Sequence, residues 1–260
     1  MERKSSLNAR PEKKDTYMPM VPWVTAYIYA KYRVRVEGIE NIPDGPAMLV
    51  ANHLIFDDSL AIAAIYANAK DKPLRLGAKA EYFEGGGIND RHWFGKPIQK
   101  FVTDTRQLPI YRESNRRGNV DLAKEIKSRF DEGEAMLFHA EGTRSPDGRL
   151  NKFKLGAAAF AIKNSVPLVP VSIMYPDHHP LRRPIAEVKF GEPLLPEQYG
   201  LHFHHYPFIP DGIVDAVAPR MMRQSDRVAA VTDVLESRVA ELSGQEQSGV
   251  FIDPYTKEAA

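Results

Sequence analysis

The stretch "ANHLIFDDSLAIAA", residues 51–64, places a histidine five positions before an aspartate. A carboxylate that holds one imidazole nitrogen leaves the other nitrogen able to take up a proton, which is the base-and-orienter part of a catalytic triad. His53 and Asp58 are therefore a candidate general base and its orienting carboxylate. Asp57 or Asp58 could equally cap the following helix. If this pattern is considered alone, the alternative to a catalytic pair is a capped helix that follows a histidine with no catalytic role.

The sequence shows no obvious protein nucleophile. It contains no cysteine and no G-x-S-x-G elbow, which excludes thiolate catalysis, disulfides and cysteine–zinc sites. A histidine base without a protein nucleophile would act directly on a substrate hydroxyl. This favours transfer of a group to an alcohol over a mechanism with a covalent enzyme intermediate.

A second polar cluster, "FHAEGTRSPDGRL", occupies residues 138–150. Glu141 and Gly142 follow an apolar run, and the glycine permits close backbone approach. Thr143 adds a hydroxyl, and the planar guanidinium of Arg144 suits a phosphate or a carboxylate. The alternative is an ordinary surface turn with an ion-paired arginine.

Two further cations stand at the ends of predicted strands. Lys79 ends the run "LRLGAK" at 74–79, and Arg112 ends "LPIYR" at 108–112. Each alone is most simply a solvated surface charge. Their shared position at strand ends, beside a candidate base, indicates an anionic substrate, and we expect both to bind it.

The candidate site residues must be positioned by strands and helices. Along the chain, short apolar runs typical of strands alternate with segments that have the periodicity of amphipathic helices. The predicted strands are 33–38, 47–52, 74–79, 108–112, 134–140, 166–174 and 186–192, and the predicted helices include 59–70, 119–133, 155–165 and 225–242. This rhythm predicts an α/β fold, with a largely parallel central sheet flanked by helices. Sites in such sheets lie outside the carboxyl ends of the strands. We therefore expect His53 and Glu141 to be neighbours.

The composition of the chain limits the kinds of partner that the protein is expected to bind. The chain has 260 residues, 43% hydrophobic, with a net charge of +1 from 35 basic and 34 acidic residues. We therefore expect no nucleic-acid partner, because such proteins are usually more basic. The loop histidines have no trusted metal-ligand spacing, so we expect no metal site; they are His178, His179, His202, His204 and His205.

The ends of the chain differ in composition from its middle. Residues 1–16 are charged and predicted to form a mobile tail, 17–243 a single α/β domain, and 244–260 a mobile C-terminal extension. Within the domain, 17–32 is predicted to form a short aromatic, amphipathic helical element. No run reaches the ~20 apolar residues that span a bilayer. The aromatic and basic residues of 17–32 suit a membrane interface. An equally good alternative is a helix that packs on the protein core.

The two polar motifs together resemble those of the glycerolipid acyltransferases, the group that includes bacterial 1-acyl-glycerol-3-phosphate acyltransferase. "NHLIFDD" and "EGTRS" match the N-H-x-x-x-x-D and E-G-T-R-S motifs of that family. An arginine motif at 110–112 and a proline-containing apolar strand at 166–170 follow the same order. The resemblance covers roughly residues 30–190.

The resemblance implies transfer of a fatty acyl group from acyl-CoA or acyl carrier protein to a lyso-glycerophospholipid hydroxyl, giving phosphatidic acid without an acyl-enzyme or further cofactor. His53 would be the base and Asp58 its orienter, which leaves Asp57 as a structural carboxylate such as a cap. Binding of the acceptor's phosphate end would fall to Arg112, Glu141, Gly142, Thr143 and Arg144. We expect Glu141 to act indirectly, by orienting an arginine or a hydroxyl.

Departures from the family pattern leave alternatives. Typical members carry more apolar N-terminal helices, so a cytoplasmic protein attached peripherally to the membrane is expected here. Residues 84–107 could be a lid, a membrane-touching loop or a plain surface loop, and 201–225 have no counterpart. The alternatives are the same chemistry on a lyso-aminolipid or glycolipid, thioester hydrolysis, or a non-catalytic lipid-binding module.

Overall fold

The structure is a computed structural model that describes residues 15–84, 95–111, 116–176, 182–200 and 224–252. Several predictions lie outside the described residues. They concern most of the N-terminal tail, Arg112, the central part of the 84–107 linker, nearly all of 201–225, and the five loop histidines.

Seven strands in the described residues form one sheet with the order β1-β7-β6-β2-β5-β3-β4. The strands are β1 (Arg33–Glu37), β2 (Met48–Ala51), β3 (Leu74–Lys79), β4 (Leu108–Ile110), β5 (Ala135–His139), β6 (Leu168–Met174) and β7 (Ile185–Phe190). Every neighbouring pair is parallel except β6 and β7. The predicted α/β fold with a largely parallel sheet is confirmed. The carboxyl ends of β2, β3, β4, β5 and β6 therefore lie at one edge.

Helices cover the sheet. They are α1 (Tyr17–Lys31), α2 (Asp58–Lys70), α3 (Ala80–Phe83), α4 (Gly95–Asp104), α5 (Arg116–Asp131), α6 (Gly156–Asn164) and α7 (Gln224–Ser243), with short 3-10 turns at Ile39–Asn41 and Pro196–Gly200. In α5 the buried face carries Leu122, Ile126 and Phe130. Val120 lies about 160° around the helix from Leu122 and is exposed.

The central strand β2 has a separate cluster of core side chains on each of its two faces. All four of its residues are buried, and successive side chains point to opposite faces. Leu49 belongs to the cluster that packs under α1 and α2. Met48 and Val50 belong to the cluster under α5, α6 and α7. Because both faces of β2 are covered, the continuous apolar run "AMLV" forms a strand without polar alternation.

The predicted N-terminal element is helix α1, and it has two different faces. Tyr17, Val21 and Ile28 are buried, whereas Trp23 and Tyr27 are exposed. The helix therefore packs on the core and also presents aromatic side chains outward. Within the described residues, no helix combines the length and apolar character needed to cross a membrane.

The described part of the predicted C-terminal extension packs on the domain. The backbone N–H of Leu150 donates to the carbonyl of Glu246, and that of Ser248 donates back to the carbonyl of Leu150. Further along, the N–H of Lys152 donates to the carbonyl of Val250. This pairing brings residues 246–250 beside the loop that follows β5.

Candidate active site

The loop after β2 folds back so that the side chain of Asp58 meets the ring of His53. The Nδ1 atom of His53 lies 2.9 Å from Oδ2 of Asp58. The same oxygen accepts the backbone N–H groups of Leu54 at 2.5 Å and Ile55 at 2.8 Å. The hydroxyl of Tyr175 donates to Oδ1 at 2.8 Å. The carboxylate is thus fixed on both oxygens.

The burial of this pair is asymmetric. The side chain of Asp58 is fully buried, while that of His53 is 20% exposed. Burial raises the pKa of Asp58, and the donors from Ile55, Leu54 and Tyr175 work in the opposite direction. A carboxylate held in this way accepts the Nδ1–H of the imidazole. The proton-accepting lone pair of the ring is then on Nε2.

Asp57, the adjacent carboxylate, faces helix α1 instead. It accepts hydrogen bonds from Nζ of Lys31 at 2.6 Å and from the hydroxyls of Tyr32 at 2.7 Å and Tyr27 at 3.2 Å. Its side chain makes no capping hydrogen bond to α2, so the expectation of a cap is wrong. Asp57 is structural in another way, because it ties α1 to residues 52–58. This segment carries the candidate base and its carboxylate and is called the catalytic loop.

Glu141 connects the two motifs through the backbone. It is buried, and its Oε1 accepts the backbone N–H of His53 at 2.7 Å. Its Oε2 accepts the backbone N–H of Asn151 at 2.9 Å and the side-chain amide at 2.8 Å. Burial raises the pKa of Glu141 to about 7. The carboxylate therefore contacts main-chain and amide N–H groups, where we expected an arginine or a hydroxyl.

The loop that Glu141 begins also holds the other side of His53. The backbone N–H of Ser145 donates to the carbonyl of His53 at 2.8 Å. Gly142 has a φ of +75°, and a Cβ there would lie 2.6 Å from Nζ of Lys154. A side chain would be strained at this position. The "EGTRS" loop therefore forms hydrogen bonds with both the backbone N–H and the backbone carbonyl of His53.

Thr143 and Arg144 differ in exposure. Thr143 is buried, and Arg144 is exposed. No hydrogen bond or ion pair joins Arg144 to any other described residue. Arg144 lies on the same loop as Glu141 and Ser145, which hydrogen-bond to the backbone of His53.

Lys79 lies at the same sheet edge but farther from the base. It ends β3, and β5 separates β3 from β2. Two strand spacings correspond to about 10 Å. The backbone of Lys79 therefore lies two strands away from the end of β2, which precedes His53.

Several residues at the site were not predicted from the sequence, namely Tyr175 and Asn151, described above, and also His139 and Gln245. His139 ends β5 and stacks on His53, with ring centroids 4.1 Å apart. Gln245 follows α7, and its Oε1 accepts the amide of the buried Asn52 at 2.8 Å, while its own amide donates to the carbonyl of Gly148 at 2.6 Å. Strand pairing could have indicated His139, whose register partner is Ala51. The sequence carries no comparable signal for Gln245.

Asn52 also fastens the catalytic loop to the sheet. Its amide donates to the carbonyl of Ile173 at 2.9 Å, and its oxygen accepts the N–H of Ile173 at 2.8 Å. This reciprocal pair closes the end of β2 against β6. In the described part of the chain, no cluster of three or more potential metal ligands is found.

The fold and the site together define an α/β protein with a histidine–aspartate pair at the carboxyl ends of its strands. A family model described as Acyltransferase matches residues 33–174, which include both motifs. The match covers more than half of the chain. The chain therefore belongs to the acyltransferase family.

Curated relatives carry related names. The chloroplastic 1-acyl-sn-glycerol-3-phosphate acyltransferase of Arabidopsis thaliana is 32% identical over 154 residues, which are 58% of this chain and 39% of that protein. The 1-acyl-sn-glycerol-3-phosphate acyltransferase of Pseudomonas aeruginosa is 25% identical over 150 residues, 58% of this chain and 52% of that protein. The lyso-ornithine lipid O-acyltransferase of Brucella abortus is 27% identical over 184 residues, 65% of this chain and 61% of that protein.

The chain thus spans less than two thirds of each of these relatives. Among solved structures, it resembles the 1-acyl-sn-glycerophosphate acyltransferase of Thermotoga maritima. The TM-score is 0.51 at 23% identity, over 87% of this chain and 78% of the other. At that identity the likeness is one of fold.

Proposed function

We propose that the protein transfers a fatty acyl group from an acyl-CoA or acyl carrier protein thioester to the hydroxyl of 1-acyl-glycerol-3-phosphate, forming phosphatidic acid. The observation that carries this proposal is the His53–Asp58 contact of 2.9 Å. The names of the relatives support the choice of acceptor. Glu141 and Ser145 hold the backbone of His53 and so preorganise the base.

The proposed reaction is direct attack by the acceptor. Nε2 of His53 takes the proton of the acceptor hydroxyl as its oxygen attacks the thioester carbonyl. Asp58 stabilises the imidazolium through Nδ1–H. The carbon–sulfur bond then breaks, and the thiolate leaves with the proton from Nε2. The sequence of steps needs no acyl-enzyme, metal or organic cofactor.

Arg144 is the proposed contact for the acceptor's phosphate. It is exposed and lies on the loop that grips His53, and a guanidinium can bind phosphate with two parallel hydrogen bonds. Gly142 allows the backbone of that loop to approach the ligand. Arg112 and Lys79 remain proposed contributors to phosphate binding, and Thr143 a further one.

A lyso-ornithine lipid is the second candidate acceptor. The match to the relative of that name extends over 65% of this chain, against 58% for the two relatives named 1-acyl-sn-glycerol-3-phosphate acyltransferases. This acceptor has a hydroxyl for the same chemistry but no phosphate. Its anionic group is a carboxylate, so the two candidates differ in which anion Arg144 would bind.

The site should work at a membrane surface, because the proposed acceptors are lipids. Trp23 on α1 is 78% exposed, and Phe56 in the catalytic loop is 48% exposed. Arg183 donates to the carbonyl of Tyr29 and so adds a cation near the end of α1. Exposed aromatics with adjacent cations suit an interface of anionic lipid. We therefore propose peripheral attachment, on the cytoplasmic side, through this face.

One experiment tests the function and the acceptor together. Purified protein is given acyl-CoA or acyl carrier protein thioester with lysophosphatidic acid and lyso-ornithine lipid, and products are identified by mass spectrometry. We expect phosphatidic acid from wild type and a loss of at least about 10³-fold in kcat for His53→Ala. Arg144→Ala should raise KM for the phosphate acceptor about tenfold or more.

The control is Asp44→Asn, a change at an exposed carboxylate that pairs with Lys70. It should match wild type. Turnover by His53→Ala at the wild-type rate would contradict the mechanism. Formation of free fatty acid without any acylated acceptor would instead support thioester hydrolysis, and vesicle binding without thioester consumption would support a lipid-binding module.

A further inference from the structure

His139 lies directly under the proposed base. It is the last residue of β5, and the strand register pairs it with Ala51, two residues before His53. Its ring stacks on that of His53, with centroids 4.1 Å apart and an angle of 16° between the planes. The stack leaves little freedom for the His53 ring to tilt toward β5.

Both ring nitrogens of His139 have partners. Nδ1 lies 2.7 Å from the carbonyl oxygen of Asn52, and Nε2 lies 2.8 Å from the hydroxyl of Ser59. A carbonyl can only accept, so Nδ1 carries the proton. Nε2 then accepts the hydrogen of the Ser59 hydroxyl. A neutral His139 satisfies both hydrogen bonds.

The protein environment favours that neutral form. Burial, together with the nearby charge of protonated His53, lowers the pKa of His139 to about 3. During acyl transfer the neighbouring His53 must gain a proton. A neutral His139 adds no repulsive charge to the imidazolium that forms.

The two partners of His139 have particular places in the sequence. Asn52 immediately precedes His53, and Ser59 immediately follows Asp58. The ring of His139 therefore connects the two ends of the segment that carries the base and its orienting carboxylate. Loss of these hydrogen bonds would let the two ends of this segment separate, although both side chains of the His53–Asp58 pair would still be present.

We infer that His139 is a positioning residue for the proposed acyl transfer, which closes the catalytic loop across Asn52 and Ser59 and fixes the plane of the His53 ring by stacking. The inference rests on the proposed function, since it assumes that His53 is the base. It adds a residue of β5 to the machinery and gives Ser59 a supporting role.

The test compares three variants. His139→Phe keeps an aromatic ring and loses both hydrogen bonds, and Ser59→Ala loses one of them. Asn164→Ala is the matched control, since it removes one side-chain hydrogen bond, to the carbonyl of Phe160, at the end of α6. We expect kcat to fall about tenfold to a hundredfold in His139→Phe and several-fold in Ser59→Ala, with KM within about twofold.

A double-mutant cycle separates positioning from general stability. If His139 acts through His53, then His139→Phe should have almost no further effect on residual activity in a His53→Ala background. A general loss of stability would lower activity by the same factor in both backgrounds. Equal factors, or a kcat for His139→Phe equal to that of Asn164→Ala, would overturn the inference.

Nuclear magnetic resonance gives a readout without turnover. The Nδ1 proton of His53, held by Asp58, should appear as an exchange-protected downfield signal in wild type and be weakened or lost in His139→Phe. An unchanged signal would overturn the inference. If wild type makes no acylated product but this signal depends on His139, the proposed function fails while the positioning contact stands.

Discussion

At the scale of single residues, Glu141 accepts hydrogen bonds from main-chain and amide N–H groups. Its two oxygens accept three N–H donors, from His53 and Asn151. A glutamine would place an amide N–H₂ against at least one of these donors. A buried donor without an acceptor costs about 1–3 kcal/mol. Glu141 therefore helps to hold the backbone of His53, the proposed base, in place.

The raised pKa of Glu141 predicts a pH dependence of stability. The group shifts from 4.5 to about 7 on folding, so the folded state binds a proton more tightly than the unfolded state. The resulting stabilisation is fully present below the unfolded pKa and is lost as pH rises through about 7. We expect Glu141→Gln to remove this contribution, measured by urea unfolding between pH 4.5 and pH 7.5.

The slope attributable to this one group is at most about 1.4 kcal/mol per pH unit. Glu241→Gln, a change at an exposed position of α7, is the control and should retain the wild-type slope. A slope in Glu141→Gln identical to that of wild type would show that Glu141 does not titrate in this range.

At the scale of elements, helix α1 is fastened to the catalytic loop by one carboxylate. Asp57 accepts hydrogen bonds from Lys31, Tyr32 and Tyr27, and the ion pair with Lys31 raises the pKa of that ammonium. The neighbouring Asp58 faces His53 instead. Successive residues at a helix start are rotated by about 100° around the helix axis. The two adjacent carboxylates therefore point in different directions, one toward α1 and the other toward His53.

Asp57→Asn should loosen α1 selectively. The amide loses the charge that pairs with Lys31 and has one acceptor oxygen in place of two. We expect amide hydrogen exchange in α1 to accelerate by about tenfold, equivalent to about 1.4 kcal/mol, while β2 and β5 keep wild-type protection. Asp44→Asn provides the comparison, and equal exchange of α1 in both variants would refute the fastening role.

At the scale of the whole molecule, the exposed aromatic face of α1 and the catalytic loop lie next to each other. Phe56 directly precedes Asp57, which binds the end of α1. A membrane that contacts Trp23 and Phe56 would therefore meet the edge of the sheet that carries His53. This orientation would let a lipid acceptor reach the base without leaving the bilayer completely.

Vesicle sedimentation tests this orientation. We expect wild type to bind vesicles containing phosphatidylglycerol, and both Trp23→Ser and Phe56→Ser to bind about tenfold more weakly because each removes apolar area from the interface. Val36→Ser, at a half-exposed position of the edge strand β1, should bind like wild type. Equal binding by all four proteins would contradict the proposed face.

The local patterns of the sequence determined most elements of this molecule. The run at 74–79 is a strand over that whole range, and the buried run of β2 was recognised by its apolar residues alone. These features follow from side-chain type over a few neighbouring positions. The same holds for the motif pair, since strands of one parallel sheet end at one edge and bring His53 and Glu141 together.

Contacts between distant parts of the chain were decided only by the tertiary structure. Asn52 and Gln245 are 193 positions apart, and no local pattern relates them. The stacking of His139 on His53 depends on strand register, and the attachment of Glu141 to backbone N–H groups depends on the path of two loops. The sequence determined which residues could do chemistry here, whereas long-range packing decided which neighbours hold them, because those contacts arise only when the sheet assembles.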